Sequence, residues 1–243
     1  MTNDTHDTHD THDTHDELFE LGSSYDEMLE RGISLAGESK DYFIDGRIDH
    51  LHARMVDAGG SQVTSVLDFA CGVGDASSRL AAAFDGARVF GVDIAAGAVE
   101  EARRRVDDNR VEFGLLDAVP DDARFDLCYV NGAYHHIPPD QRAEVTKRIF
   151  DLLRPGGVIA LFENNPWSPP ARLVMRRIPF DRDAQMLRPA TARRLLRDAG
   201  FRTSSAPTYL FFFPHAMRRL RSVEPALRRI PAGAQYLVIG RRP

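Results

Sequence analysis

From residue 63 onward, short apolar runs alternate with segments of helical period, and each run ends in a turn. The runs are Val63–Phe69, Ala87–Ile94, Val111–Leu116, Phe125–Asn131 and Val158–Glu163. Between them, Ala76–Phe84, Ala98–Val106 and Gln141–Leu153 repeat their apolar residues at helical spacing. Strands this short and this apolar, separated by helices, predict an α/β chain with a doubly wound parallel sheet and right-handed crossovers. Thr191–Gly200 reads as a further helix, and Thr208–Phe213 and Gln235–Gly240 as two further strands. A chain of 243 residues with 43% hydrophobic residues fills one such domain.

The flanks read differently. Residues 5–16 are four copies of Thr-His-Asp, a polar repeat with no apolar face, so residues 1–16 are expected to form a disordered tail. Residues 17–60 carry Leu18, Leu21, Tyr25, Met28, Leu29, Ile48, Leu51, Met55 and Val56 near a helical period and predict a helical lid. Residues 164–190 hold Pro166, Pro169-Pro170, Pro179 and Pro189 and predict an irregular insert over a ligand site. Residues 17–243 are then one domain. Cys71 and Cys128 lie far apart with no CxxC, which fits a reducing compartment. No apolar run reaches membrane-spanning length, and the N-terminus lacks the apolar core of a secretory signal. The expected location is cytoplasmic, with peripheral contact at the inner membrane surface.

Charge is unevenly spread. Residues 1–164 hold 15 Lys and Arg against 32 Asp and Glu, whereas residues 165–243 hold 16 Arg against 4 acids. Such an imbalance speaks to association with an anion or a membrane rather than to fold.

The chemistry is concentrated in Val66-Leu67-Asp68-Phe69-Ala70-Cys71-Gly72-Val73-Gly74, a strand feeding a glycine turn and a helix. Glycines there let a ligand approach the backbone at the carboxyl ends of the strands. Asp93 ends the second strand and suits a ribose diol; Asp117 ends the third and suits an adenine amine. The run Gly72-Val73-Gly74-Asp75-Ala76-Ser77 lacks the third glycine of a dinucleotide fingerprint. Asp68 would sit badly beside a pyrophosphate and suits a cationic ligand.

With these residues the sequence resembles the class I S-adenosylmethionine-dependent methyltransferases of small-molecule type, well over residues 63–163 and more loosely towards the end of the chain. The resemblance implies a Rossmann-like, seven-stranded, mostly parallel sheet in the order 3-2-1-4-5-7-6, its last strand antiparallel, under an N-terminal helical lid. It implies S-adenosylmethionine as cofactor, held by Asp68, Ala70, Gly72, Gly74, Asp93, Ile94, Asp117, Ala118 and Asn131. Tyr134-His135-His136 follows strand four and faces the cofactor crevice in this family. His135 and His136 are candidate bases, since an imidazole titrates near neutrality. Tyr134, Asn164 and Trp167 are candidates for binding the acceptor. Arg47 is a candidate for the methionine carboxylate, and Tyr42 and Phe43, with Tyr25, for covering the cofactor. The ubiquinone O-methyltransferases place two carboxylates and a histidine where this chain has Gly132, His135 and His136, so no metal is expected.

The expected activity is methyl transfer to oxygen or carbon of a small or amphiphilic acceptor, with lipid, isoprenoid and glycolipid precursors in view. Arg172, Arg176 and Arg177 border Leu173, Val174 and Ile178, and a second basic stretch runs from Arg218 to Arg229. Both resemble segments that lie on an anionic membrane surface. The alternatives are a non-catalytic S-adenosylmethionine-binding interaction module and, behind it, an RNA or DNA methyltransferase. Nucleic acid is disfavoured by the lack of an Asn/Asp-Pro-Pro-aromatic run.

Overall fold

Alternation of buried side chains along each strand divides the core into two layers. In β1 (Ser65–Phe69), Val66 faces one side of the sheet and Leu67 the other. β4 (Phe125–Asn131) and β5 (Leu153–Asn164) alternate in the same way: Leu127, Tyr129, Ala160 and Phe162 join Val66, while Cys128, Val130, Ile159 and Leu161 join Leu67. The computed structural model describes residues 32–57, 62–178, 184–204 and 206–243. The repeat tail and Tyr25 lie outside these residues.

On the first face, α1 (Lys40–Asp57) buries Ile44, Ile48, Leu51 and Met55, spaced at one helical turn, together with Leu80 and Ala81 of α2 (Asp75–Ala83). On the second face, α4 (Arg142–Leu152) contributes Ile149 and Leu152, and α6 (Pro189–Asp198) contributes Ala192 and Leu196. A smaller group joins Val99 and Ala102 of α3 (Ala96–Arg105) to Phe113 of β3 (Val111–Leu115). β2 (Arg88–Asp93) lies between β3 and β1.

The sheet runs β3-β2-β1-β4-β5-β8-β6, where β6 is Arg202–Thr203 and β8 is Gln235–Arg241; β7 (Thr208–Leu210) also pairs with β8. The first five strands are parallel, and β8 is antiparallel to β5. β6 meets Gly240 and Arg241, and β7 meets Gln235 to Leu237, so two short strands share one edge. This is the Rossmann-like order expected from sequence, with its last position interrupted. The Arg154–Gly157 turn bulges out of β5, because Leu153 pairs with Phe125 and the register resumes at Val158. Arg242 closes the turn, accepting from Gly156 N–H and donating to Gly157 O.

The 164–190 region is more regular than its prolines suggest. Pro169-Pro170 opens a helix, α5 (Pro169–Arg177), where a missing N–H costs nothing because the first turn has no intrahelical acceptor for it. Residues 215–223 form a 3-10 helix, continued by α7 (Glu224–Leu227).

The joint between β1 and α2 is polar. Asp68 is buried, and its carboxylate accepts the Ser77 hydroxyl at 2.6 Å. Burial pushes the Asp68 carboxyl up to about 7, against the Ser77 hydrogen bond, with the neighbouring Asp93 and Asp75 adding to the rise. A carboxyl raised on folding stabilises the fold fully below its unfolded value and loses that contribution as pH climbs through its folded value. Urea midpoints are therefore expected to fall between about pH 4 and pH 7, and Asp68→Asn should flatten that part of the profile. Two residues on, Ala70 holds a left-handed φ of 58°. Ala70→Gly should relieve strain of about 1 kcal/mol and raise the urea midpoint; an unchanged or lower midpoint would show that the loop absorbs no such strain.

Candidate functional site

The carboxyl ends of β1, β2, β4 and β5 meet at one end of the sheet, and the sequence motif sits in the turn after β1. Its backbone is held locally: Cys71 N–H donates to Val92 O and Gly74 N–H to Cys71 O, each at 3.0 Å. The two glycines serve different ends. A Cβ on Gly74 would stand 2.7 Å from the Phe113 ring, so this glycine lets the loop pack on β3. A Cβ on Gly72 would meet nothing within 4 Å, so this glycine faces open space. Both have positive φ. Burial pushes the Cys71 thiol far above its ordinary range, which leaves it inert as a nucleophile.

Asp93, half-buried at the tip of β2, is the second fixed point. One carboxylate oxygen accepts Gly72 N–H at 2.8 Å and the other accepts Ala95 N–H at 3.0 Å. Ile94 beside it is exposed, as are Asp117 and Ala118 on the 3-10 turn after β3. Asn131 ends β4 with its side-chain oxygen buried and without a hydrogen-bond partner among the described residues. Gly72, Ile94, Asp117 and Asn131 end or follow the neighbouring parallel strands β1, β2, β3 and β4, with Ala118 beside Asp117, so all lie at the same end of the sheet. Asp68 is buried and turned towards Ser77.

On the other side of Asn131 stands a pair that sequence reading leaves half-seen. His135 Nδ1 lies 2.6 Å from Glu163 Oε2, and Glu163 Oε1 accepts Tyr134 N–H at 2.7 Å. Both side chains are buried. The β4–β5 register pairs Asn131 with Phe162, so Glu163 reaches the loop that carries His135. That adjacency, a carboxylate one residue beyond one strand and a histidine just beyond its parallel neighbour, is the signal available in the sequence. The His136 ring packs on that of His135 at a tilt of 49°, with ring centroids 4.2 Å apart.

The acceptor candidates separate. Tyr134 lies in the core: its side chain is fully buried, and its hydroxyl is 3.0 Å from that of Thr146. An aromatic residue after an exposed strand end could face either way, and here the apolar layer takes the ring. Asn164 accepts from the Gln235 amide at 3.0 Å and is part of a chain of polar groups. Trp167 is exposed, its backbone N–H donating to Asn165 Oδ1. Arg47 does not reach the crevice as a free cation: it donates to Tyr129 Oη at 3.1 Å and to Gln235 Oε1 at 2.9 Å. Tyr42 and Phe43 pack on Phe211, with ring centroids 5.7 and 5.0 Å away.

Residues 66–157 match a family described as a methyltransferase domain. Trans-aconitate 2-methyltransferase of Methylobacterium radiotolerans is 35% identical over 115 residues, 46% of this chain and 42% of that protein. The enzyme of the same name from Variovorax paradoxus is 30% identical over 118 residues, 48% of this chain and 45% of that one. The match thus spans under half the length of these relatives. Among solved structures, a putative methyltransferase of Haloferax volcanii, in complex with the Trm112 methyltransferase activator, aligns with a TM-score of 0.64 at 21% identity, over 99% of this chain and 100% of its own. Magnesium protoporphyrin IX methyltransferase of Synechocystis aligns with a TM-score of 0.63 at 19% identity, over 96% of this chain and all of that one. These two structures share the fold described above. Residues 66–157 are thus similar in sequence to a methyltransferase domain, and the whole fold is one that solved methyltransferases share.

Proposed function

We propose that this protein transfers a methyl group from S-adenosylmethionine to oxygen or carbon of a small or amphiphilic acceptor. The observation that carries the reading is the buried His135–Glu163 pair, set beside the Gly72–Asp93 crevice at the same end of the sheet.

The residues of the crevice fit the cofactor. Gly72 leaves room where a side chain would intrude, and the unpaired Asn131 oxygen offers an acceptor to a cationic ligand. Asp93 keeps lone pairs for a ribose diol while its two backbone contacts hold it still. Ile94, Asp117 and Ala118 would flank the adenine, Gly74 and Ala70 shape the loop, and Asp68 holds the loop to α2. When bound, the cofactor supplies an electrophilic methyl group on a sulfonium. Acceleration then rests on aligning the acceptor atom. Glu163 on Nδ1 favours the imidazole tautomer whose lone pair is on Nε2, the atom that would take a proton from an acceptor hydroxyl. His136 packs against this ring and steadies it.

The acceptor side is basic and apolar. Met217, Leu220, Val223 and Ile230 are exposed, and Arg218, Arg219 and Arg229 lie among them. Leu173 is exposed on α5, next to Arg172 and near Arg176 and Arg177. Among the described residues no helix is long and apolar enough to cross a membrane. The pattern supports peripheral contact with an anionic bilayer from the cytoplasmic side, through which a lipid-like acceptor would be reached. The relatives named trans-aconitate 2-methyltransferase favour a second reading, a small molecule taken from solution.

Incubation with S-adenosylmethionine and a cell extract should release S-adenosylhomocysteine. Asp93→Ala should weaken cofactor binding in calorimetry by roughly tenfold or more, the worth of a lost charged hydrogen bond. His135→Gln and Glu163→Gln should keep that binding and lower product release by about a hundredfold or more. Undiminished binding in Asp93→Ala refutes the ribose assignment, and full turnover in His135→Gln refutes the base. Cofactor binding without release under any extract would favour the interaction module. In flotation at low salt, the protein should rise with vesicles containing anionic lipid but not with neutral ones, and Met217→Ser with Leu220→Ser should abolish this. Absence of flotation at low salt would leave the soluble acceptor.

A further inference from the structure

Tyr42, Gly46 and His50 lie one helical turn apart along one face of α1. Opposite them stand Tyr209, Leu210 and Phe211 at the end of β7, with Glu224 and Arg228 from α7 and the residue after it. These groups enclose a cleft of about 170 Å³. A cavity of roughly 150 Å³ accepts a benzene ring, so the cleft holds about six or seven heavy atoms. Leu210 pairs with Gln235, and Gln235 with Asn164, which puts the cleft at the same end of the sheet as the His135–Glu163 pair.

The cleft is polar in one place and cationic in another. His50 is 6% exposed, and its Nε2 is buried with no hydrogen-bond partner among the described residues. A buried polar atom left this way carries a penalty of about 1–3 kcal/mol that a ligand would remove. Its neighbours on α1, Ile48 and Leu51, show that apolar side chains are accommodated on this helix. Arg228 lines the same cleft, half-buried. Burial, with the fields of Arg228 and Arg54, lowers the His50 imidazole to about 4, so it is neutral at pH 7 and can donate from Nε2. The other charged group in the lining, Glu224, spends one carboxylate oxygen on Phe212 N–H at 3.2 Å and Phe213 N–H at 3.1 Å. The Tyr42 ring is covered by the Arg221 guanidinium at 4.3 Å.

We propose that this cleft binds a small oxyanion, a carboxylate or phosphate group, with Arg228 supplying the charge and His50 Nε2 a hydrogen bond. An oxyanion satisfies both groups at once, whereas an apolar occupant would satisfy neither. The cleft shares no lining residue with Gly72, Asp93 or Asn131, and its occupancy does not depend on methyl transfer taking place.

The test follows the His50 ring signals by NMR, assigned with His50→Gln, while inorganic phosphate or acetate is titrated at constant ionic strength against chloride. The expected result is a saturable shift of His50 with phosphate, acetate or both, together with a rise of its pKa from about 4 towards 6.5 as the anion offsets the two arginines. The phosphate and acetate arms separate a phosphorylated ligand from a carboxylic one. Arg228→Gln should weaken the response at least about tenfold, the worth of one charged hydrogen bond. It should leave the circular dichroism spectrum and S-adenosylmethionine affinity unchanged, because the hydrogen bond that ties Arg228 to β7 is made by its backbone carbonyl, accepting Tyr209 N–H, and survives the substitution. A shift that is linear in anion and equal in chloride, or one undiminished in Arg228→Gln, overturns the proposal. Failure of product release in the turnover assay would leave this result untouched.

Discussion

The Asp93 carboxylate is the joint on which the site depends. Its two oxygens tie the turn after β1 to the start of α3, through Gly72 and Ala95. Neither contact lies within a helix or strand ladder, and both add to the bonds that Cys71, Gly74 and Asp68 make in and around the turn. A carboxylate accepting backbone N–H groups is a strong, directional clamp. The geometry also explains the glycine at residue 72: its backbone holds φ +54°, a conformation other residues rarely adopt, while its amide turns to Asp93.

The sheet was legible because burial on both faces makes its strands apolar throughout. Observed strand bounds differ from the sequence reading by at most two residues in β1 to β3 and coincide with it in β4. What escaped followed from context. α5 hid behind Pro169-Pro170, which mark a break in mid-helix but a beginning at a first turn. β6 is two residues long and carries no periodic signal. The cofactor motif was readable because a contiguous loop encodes it. The Arg47 contacts span 82 residues to Tyr129 and 188 to Gln235, and no local pattern announces them. Tyr134 shows the converse, a residue beside a site whose ring the core claims.

Charge asymmetry acquires a physical form. Many acids before residue 164 are spent locally: Asp126 takes Thr64, Ser65 and Arg154, Asp41 and Asp45 take Arg79, and Glu101 takes Arg104 and Arg105. Each such surface pair contributes little to stability. Arg172, Arg176, Arg177, Arg218, Arg219 and Arg229 stand exposed on α5 and on the 215–230 segment. Part of the acidic half is thus neutralised locally, while these arginines of the basic half present their charge outward.

β8 has a consequence for how the chain reaches this state. Residues 235–241 form an inner strand, flanked by β5 on one side and by the earlier residues of β6 and β7 on the other. During synthesis, the open side of β5 therefore stays unpaired until residue 241 has emerged, and β6 and β7 have no partner before then. An apolar edge carrying Ile159, Leu161 and Phe162 is exposed for that interval. Unpaired edges of this kind template association between chains. A nascent chain stalled before residue 235 would present the same edge permanently, so integrity of the last strand governs solubility as well as shape.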